Sequence, residues 1–120
     1  MTDQRLPPHC RLRRSTDFRR VYDRKRSVSD GRIIVYGCEN ELPHTRLGLS
    51  VSVRVGSAVV RNRWKRLIRE AFRLRRGELP VGLDLVVIPR QGTEPELAAL
   101  GESLVKLARQ VAARLASDRR

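Results

Sequence analysis

The side chains best suited to chemistry in this 120-residue chain are cations. There are 26 Lys or Arg against 13 Asp or Glu, a formal net charge of +13, and only Lys25, Lys65 and Lys106 among the basic residues are lysine. A guanidinium presents a fork of N–H donors that matches a phosphate and stacks flat on a base, so the pattern points to a nucleic-acid polyanion. The excess is segregated: residues 1–76 carry 20 basic and 7 acidic side chains, whereas residues 77–120 carry 6 of each. One dense run is 61–76. At roughly 100° per helical residue, Arg61, Asn62, Lys65, Arg66, Arg69, Arg73 and Arg76 fall in one arc of roughly 140°. Glu70 is the sole acid in that run. A solvated helix face intersperses acids with bases, whereas this one offers its cations to a partner.

Aromatic residues sit among further cations. Phe18, Val21 and Tyr22 recur at i, i+3 and i+4 between Arg19, Arg20, Arg24, Lys25 and Arg26, and Tyr36 shares a strand face with Arg32. That interleaving suits stacking of single-stranded bases, although the same spacing also serves a core stripe. Protein-based catalysis is poorly supplied. His9, Cys10, Cys38 and His44 are the only soft metal-ligand candidates; two are adjacent and no Cys-x-x-Cys pair exists, so no metal site is expected. Asp17, Asp23, Glu70 and Asp84 are scattered among arginines, and Ser50 and Ser52 lack a paired base, so no catalytic set is expected either. Two cysteines are too few for a disulfide scaffold, which points to a reducing compartment, the cytoplasm. No 18-residue apolar run marks a membrane span, and the N-terminal charges precede no apolar signal-peptide segment.

The elements that must position these groups follow from periodicity. Residues 1–14, with Pro7-Pro8, read as a flexible basic arm. A single RNA-binding domain is expected over 15–116, and a tail over 117–120. A basic helix begins near Ser15; Arg32–Tyr36 is a strand, and Glu39–His44 reads as a hairpin loop. Arg46–Arg54 alternates, with Leu47, Leu49, Val51 and Val53 toward the core and Arg46, Gly48, Ser50, Ser52 and Arg54 on a small polar face open to a ligand backbone. From about Ser57 to Arg75 the period is helical, burying Val60, Trp64, Leu67, Ala71 and Leu74, and Gly77 closes the helix. Leu83–Ile88 is a strand, Thr93–Glu96 a capping box, and a last helix buries Leu97, Leu100, Leu104, Leu107, Val111 and Leu115. The order α-β-β-α-β-α gives one small α+β sandwich with a central, mainly antiparallel sheet. DNA is a weaker partner than RNA here, because the basic helix follows a strand and lacks a helix-turn-helix context.

The run Arg61-Asn62-Arg63-Trp64-Lys65-Arg66-Leu67-Ile68-Arg69-Glu70-Ala71-Phe72-Arg73 resembles the signature of the bacterial ribonuclease P protein component. Its lead-in, Arg46–Ser52 and Val55–Val60, and the helix Asp17–Tyr22 resemble that family too. The resemblance implies a subunit of a catalytic RNA that removes the 5′ leader of precursor tRNA by metal-assisted hydrolysis, with Mg2+ held mainly by the RNA. One protein per RNA is implied. Arg61, Asn62, Arg63, Lys65, Arg66 and Arg69 would face the catalytic RNA, while Phe18, Tyr22, Tyr36, Ser52 and Arg54 would line a cleft for the single-stranded leader. A left-handed strand–helix–strand crossover is also implied, against the usual hand. Four positions depart from the family pattern: Val53 replaces a basic residue, Ser57 a common Asn, Lys25 a frequent Gly and Trp64 an aliphatic. The other class open on these residues is a structural RNA-binding protein, such as a ribosomal or assembly factor; a self-sufficient metal-dependent nuclease is disfavoured.

Overall fold

The computed structural model describes residues 6–119. Helix α1 (Ser15–Asp23) precedes strands β1 (Ser27–Ser29), β2 (Ile33–Glu39) and β3 (Arg46–Leu49), helix α2 (Ala58–Arg75), strand β4 (Leu83–Pro89) and helix α3 (Leu97–Asp118). The strands form one sheet in the order β1-β2-β4-β3, antiparallel at the first two pairings and parallel at the last. The α+β class and mainly antiparallel sheet are as expected. Strand β1 is additional: Ser-Val-Ser carries one apolar residue, too few to show alternation. Nor do β2 and β3 form a hairpin, because β4 lies between them. Leu83, Leu85, Val86 and Val87 are all buried, and a strand covered on both faces takes the centre of a sheet.

One sheet face, with Ile33, Val35, Leu47, Leu85 and Val87, packs against α2 and α3. On the other, Cys38 and Val86 lie beneath Leu12 and Val21, with α1 above. Helix α2 buries Trp64, Ile68, Ala71 and Phe72, while Val60 and Leu74 of the expected stripe are 38% and 55% exposed. The inward face is turned by roughly 60° on a 100° wheel, because α2 meets α3 and the sheet at once. The indole N–H of Trp64 is buried without an acceptor, at a cost of about 1–3 kcal/mol set against burial of the ring.

The alternating run stops at Leu49. Ser50 N–H still donates to Val87 O at 3.1 Å, but Ser52 Oγ accepts from Arg54 N–H (3.1 Å) and opens the 3-10 turn Val53–Val55. A serine that bonds its own backbone competes with a strand, and Val53 ends 72% exposed rather than in the core. Other ends also differ. Glu96, not Thr93, caps α3 by accepting from Ala98 and Ala99 N–H (3.1 and 2.9 Å). Gly77 is not left-handed; α2 tightens into the 3-10 turn Arg76–Glu78. Lys25 does take the left-handed region (φ 58°) after α1, so the turn persists at an expense of about 1–2 kcal/mol relative to glycine.

Where it is described, the expected arm is packed. Leu6, Cys10 and Leu12 are buried, Pro8–Cys10 makes a 3-10 turn, and Leu12 N–H donates to Leu47 O at 2.9 Å. These spaced apolar residues shield the edge of β3. Residues 1–5 of the expected arm, and Arg120 of the expected tail, lie outside the described residues; α3 itself runs on to Asp118. No helix among the described residues is long and apolar enough to cross a membrane.

The β1–β2 turn is tied to α3 through Asp30. Its Oδ1 accepts from Arg32 and Ile33 N–H (2.8 and 3.0 Å), and Lys106 Nζ lies 3.5 Å from Oδ2. Burial raises the Asp30 pKa, but Ser103 beside it, the two backbone donors and Lys106 outweigh that and hold it at about 2, against an ordinary 3.8. For a depressed acid the stabilisation is complete above the unfolded pKa and is lost as pH falls through the folded one. Asp30→Asn is therefore expected to cost about 2 kcal/mol at neutral pH and little near pH 2. Urea unfolding of both proteins across that range measures the difference.

Candidate nucleic-acid interface

Asp84 is the lone acid in the apolar run of β4 and is wholly buried. A charge in that position must be paired. Arg46 of β3 grips it twice, Nε to Oδ1 at 2.8 Å and Nη2 to Oδ2 at 2.7 Å, and Asn40 Nδ2 donates to Oδ1 at 2.9 Å. From α1, Arg20 donates to Oδ2 and reaches Glu39 O (2.9 Å) and Cys38 Sγ (3.1 Å) with its other nitrogen. Burial pushes the Asp84 pKa up, but Arg46, Asn40 and Arg20 prevail and hold it below the usual carboxylate range. The clamp pins α1 to one end of the sheet. Sequence reasoning left Asp84 among the scattered acids; the signal was a charge inside an otherwise apolar strand.

So held, α1 presents Phe18 and Tyr22 beside Tyr36, all three half-buried. The rings of Tyr22 and Tyr36 meet edge to face, with centroids 5.0 Å apart and planes at 84°. A Cβ at Gly48 would lie 2.8 Å from Phe18 Cζ. The small face of β3 therefore admits the Phe18 ring at this point rather than a ligand backbone. Beyond α1 the sheet stays half open at Ile34, Tyr36, Ile88 and Ser50. Ser52 and Arg54 are exposed on the turn leaving β3. The structure thus gathers Phe18, Tyr22 and Tyr36 and leaves Ser52 and Arg54 outside that cluster.

On α2, Asn62, Arg63 and Arg66 are exposed, and Arg61, Lys65 and Arg69 are half-buried. Arg61 Nε donates to Gly56 O at 3.3 Å. Arg73 belongs to the expected arc but is paired with Glu70. Among the described residues, the six positions singled out by family resemblance form no ion pair. Arg63 lies roughly 160° around the helix from Arg61, so a partner touching both must wrap the helix. Lys65 and Arg69 also line a notch of about 280 Å3 with Arg11 and Arg13, floored by Leu12, Phe18, Leu47 and Leu49. Burial, then the nearby Arg11, lowers the Arg69 pKa, and Arg11 Nε is buried without a partner. Cations held together in this way favour an anion. Sequence reasoning missed Arg11 and Arg13 as part of this surface because it placed them in the arm.

Among the described residues, no three His, Cys, Asp or Glu side chains converge to hold a metal ion. A small α+β domain with an unpaired basic helix face and a half-open aromatic sheet face defines the class of basic ribonucleoprotein subunits. The family model for ribonuclease P matches residues 6–112. The ribonuclease P protein component of Brevibacillus brevis is 43% identical over 97 residues, spanning 79% of this chain and 77% of that protein. The structure of the Staphylococcus aureus ribonuclease P protein is similar at 36% identity with a TM-score of 0.73, covering 86% of this chain and 94% of that one. The Thermotoga maritima protein matches at 32% identity and a TM-score of 0.75, covering 83% and 96%. The chain belongs to the bacterial ribonuclease P protein component family, and so is the protein subunit of an endoribonuclease of tRNA processing.

Removing one partner of a buried ion pair leaves the others uncompensated. Asp84→Ala is expected to lower stability by about 3–5 kcal/mol, read as a lower denaturant midpoint.

Proposed function

We propose that the protein binds the catalytic RNA of ribonuclease P through α2 and the single-stranded 5′ leader of precursor tRNA through the open sheet face. Arg61, Asn62, Arg63, Lys65, Arg66 and Arg69 contact the catalytic RNA. Phe18, Tyr22 and Tyr36, with Ser52 and Arg54 at the margin, line the leader path. The observation that carries this reading is the coexistence, on one domain, of unpaired cations on α2 and of half-exposed aromatic rings on the sheet face, the two meeting at the notch that Phe18 floors. Gripping both RNAs at once raises the effective concentration of the leader junction at the catalytic RNA. Aromatic stacking tolerates any base, since each has a π face, which suits leaders of differing sequence. In this reading Mg2+ is held mainly by the RNA. The assembly has one protein per RNA and works in the cytoplasm.

Reconstitution tests the whole reading. Cleavage of precursor tRNA at low Mg2+ is expected to require both the protein and its RNA; cleavage by the protein alone, or RNA activity unchanged by the protein, overturns it. Replacing Arg61 and Arg63 with Ala is expected to weaken catalytic-RNA binding and flatten its salt dependence by about one unit of slope per lost phosphate contact. Tyr36→Ala is expected to weaken precursor binding by about 1–3 kcal/mol and leave mature tRNA unaffected, measured as paired dissociation constants.

A further inference from the structure

The end of the sheet away from α1 holds a charge arrangement that neither the Asp84 clamp nor the aromatic cluster uses. Arg32 and Arg90 oppose each other across β2 and β4. The register Ile33↔Pro89 continues one residue to them, and Arg90 N–H donates to Arg32 O at 3.0 Å. Alternation along the strands places both on the face of Ile34, Tyr36 and Ile88. Both are exposed, and among the described residues neither enters an ion pair. The neighbouring carboxylate, Asp30, is engaged with backbone N–H groups and with Lys106 on the α3 side. Like charges directly opposed across a ladder destabilise a sheet, so this pair works against folding unless an anion lies between. The floor leading to it is apolar, because half-buried Ile34 and Ile88 are cross-strand partners. Tyr36 lies about 13 Å away at the usual rise per strand residue.

We infer that Arg32 and Arg90 form a phosphate clamp for the distal part of the single-stranded leader, which crosses the Ile34–Ile88 floor from Tyr36. The inference rests on the leader reading proposed above. An RNA strand fits because its backbone brings an anion to the arginines while its bases cover the apolar floor. An acidic peptide would bring the charge without flat rings for Tyr36.

Arg32→Gln and Arg90→Gln remove the charges and keep much of the aliphatic stems. Holoenzyme reconstituted with each variant is titrated with mature tRNA and with precursors whose leaders lengthen one nucleotide at a time. The expected loss of affinity is about three- to tenfold, the scale of one exposed charge-assisted contact, and it begins only past a threshold leader length. The slope of log K against log salt is expected to fall by about 0.7 per variant. Thermal unfolding of the free protein is expected to show each variant melting at or above the parent, since repulsion is relieved; lower melting in both contradicts the opposed-charge argument. No loss at any leader length, or an equal loss for mature tRNA, overturns the clamp. Tyr36→Ala in the same series separates the two ideas. Its failure to show any leader dependence defeats the leader reading itself, whereas a Tyr36 effect without an arginine effect defeats only the clamp.

Discussion

A carboxylate buried in the central strand organises this molecule. Asp84 receives Arg46 from β3, Arg20 from α1 and Asn40 from the loop after β2, so three separate stretches of chain converge on one charge. Apolar contact alone is non-directional and would let α1 slide over the sheet. Forked guanidinium bonds fix orientation as well as distance. Helix α1 is thereby confined to the Cys38 end, Phe18 is seated on Gly48, and Tyr22 is held against Tyr36. The openness of the rest of the sheet face follows from that confinement.

The distribution of acids decides which cations remain available. Glu39 engages Arg24 (3.1 Å), Asp118 engages Arg24 (2.9 Å) and Arg26, Glu70 engages Arg73, and Glu78 engages Arg75. These acids stitch the C-terminus of α3 to the α1–β1 junction and quiet the last turns of α2. Few acids are left for the earlier turns of α2 or for residues 11–13, and the charge excess accumulates there. A strongly basic chain thus becomes a directed surface, because its carboxylates lock selected arginines into the fold.

Helices, strands and the basic face of α2 were legible because each lies within one element, where a period of 3.6 or 2 shows in consecutive residues. The rest depended on contacts distant in sequence. Arg20 and Asp84 are separated by 64 residues and Arg46 and Asp84 by 38; no local pattern connects them. The rotation of α2 came from its simultaneous contact with α3 and the sheet, and the exposure of Val53 from a serine hydroxyl turning onto its own backbone. Leu6, Cys10 and Leu12 were masked by the prolines and arginines around them. Helical spacing aligned Phe18 with Tyr22, but the meeting of Tyr22 with Tyr36 joins a helix to a strand, and only the family resemblance had put the three aromatics together.

The strand order β1-β2-β4-β3 also has a temporal side. Neither β2 nor β3 pairs with the other; both pair with β4, which follows them and α2 in the chain. As the polypeptide is synthesised, its first three strands and its basic helix therefore wait for residues 83–89 before a complete sheet can close, and the closure spans long loops. During that interval residues 1–76, with 20 basic and 7 acidic side chains, are without the completed sheet that later directs their charge. The basic segment thus precedes, in the order of synthesis, the strand that joins β2 to β3 and orders its surfaces.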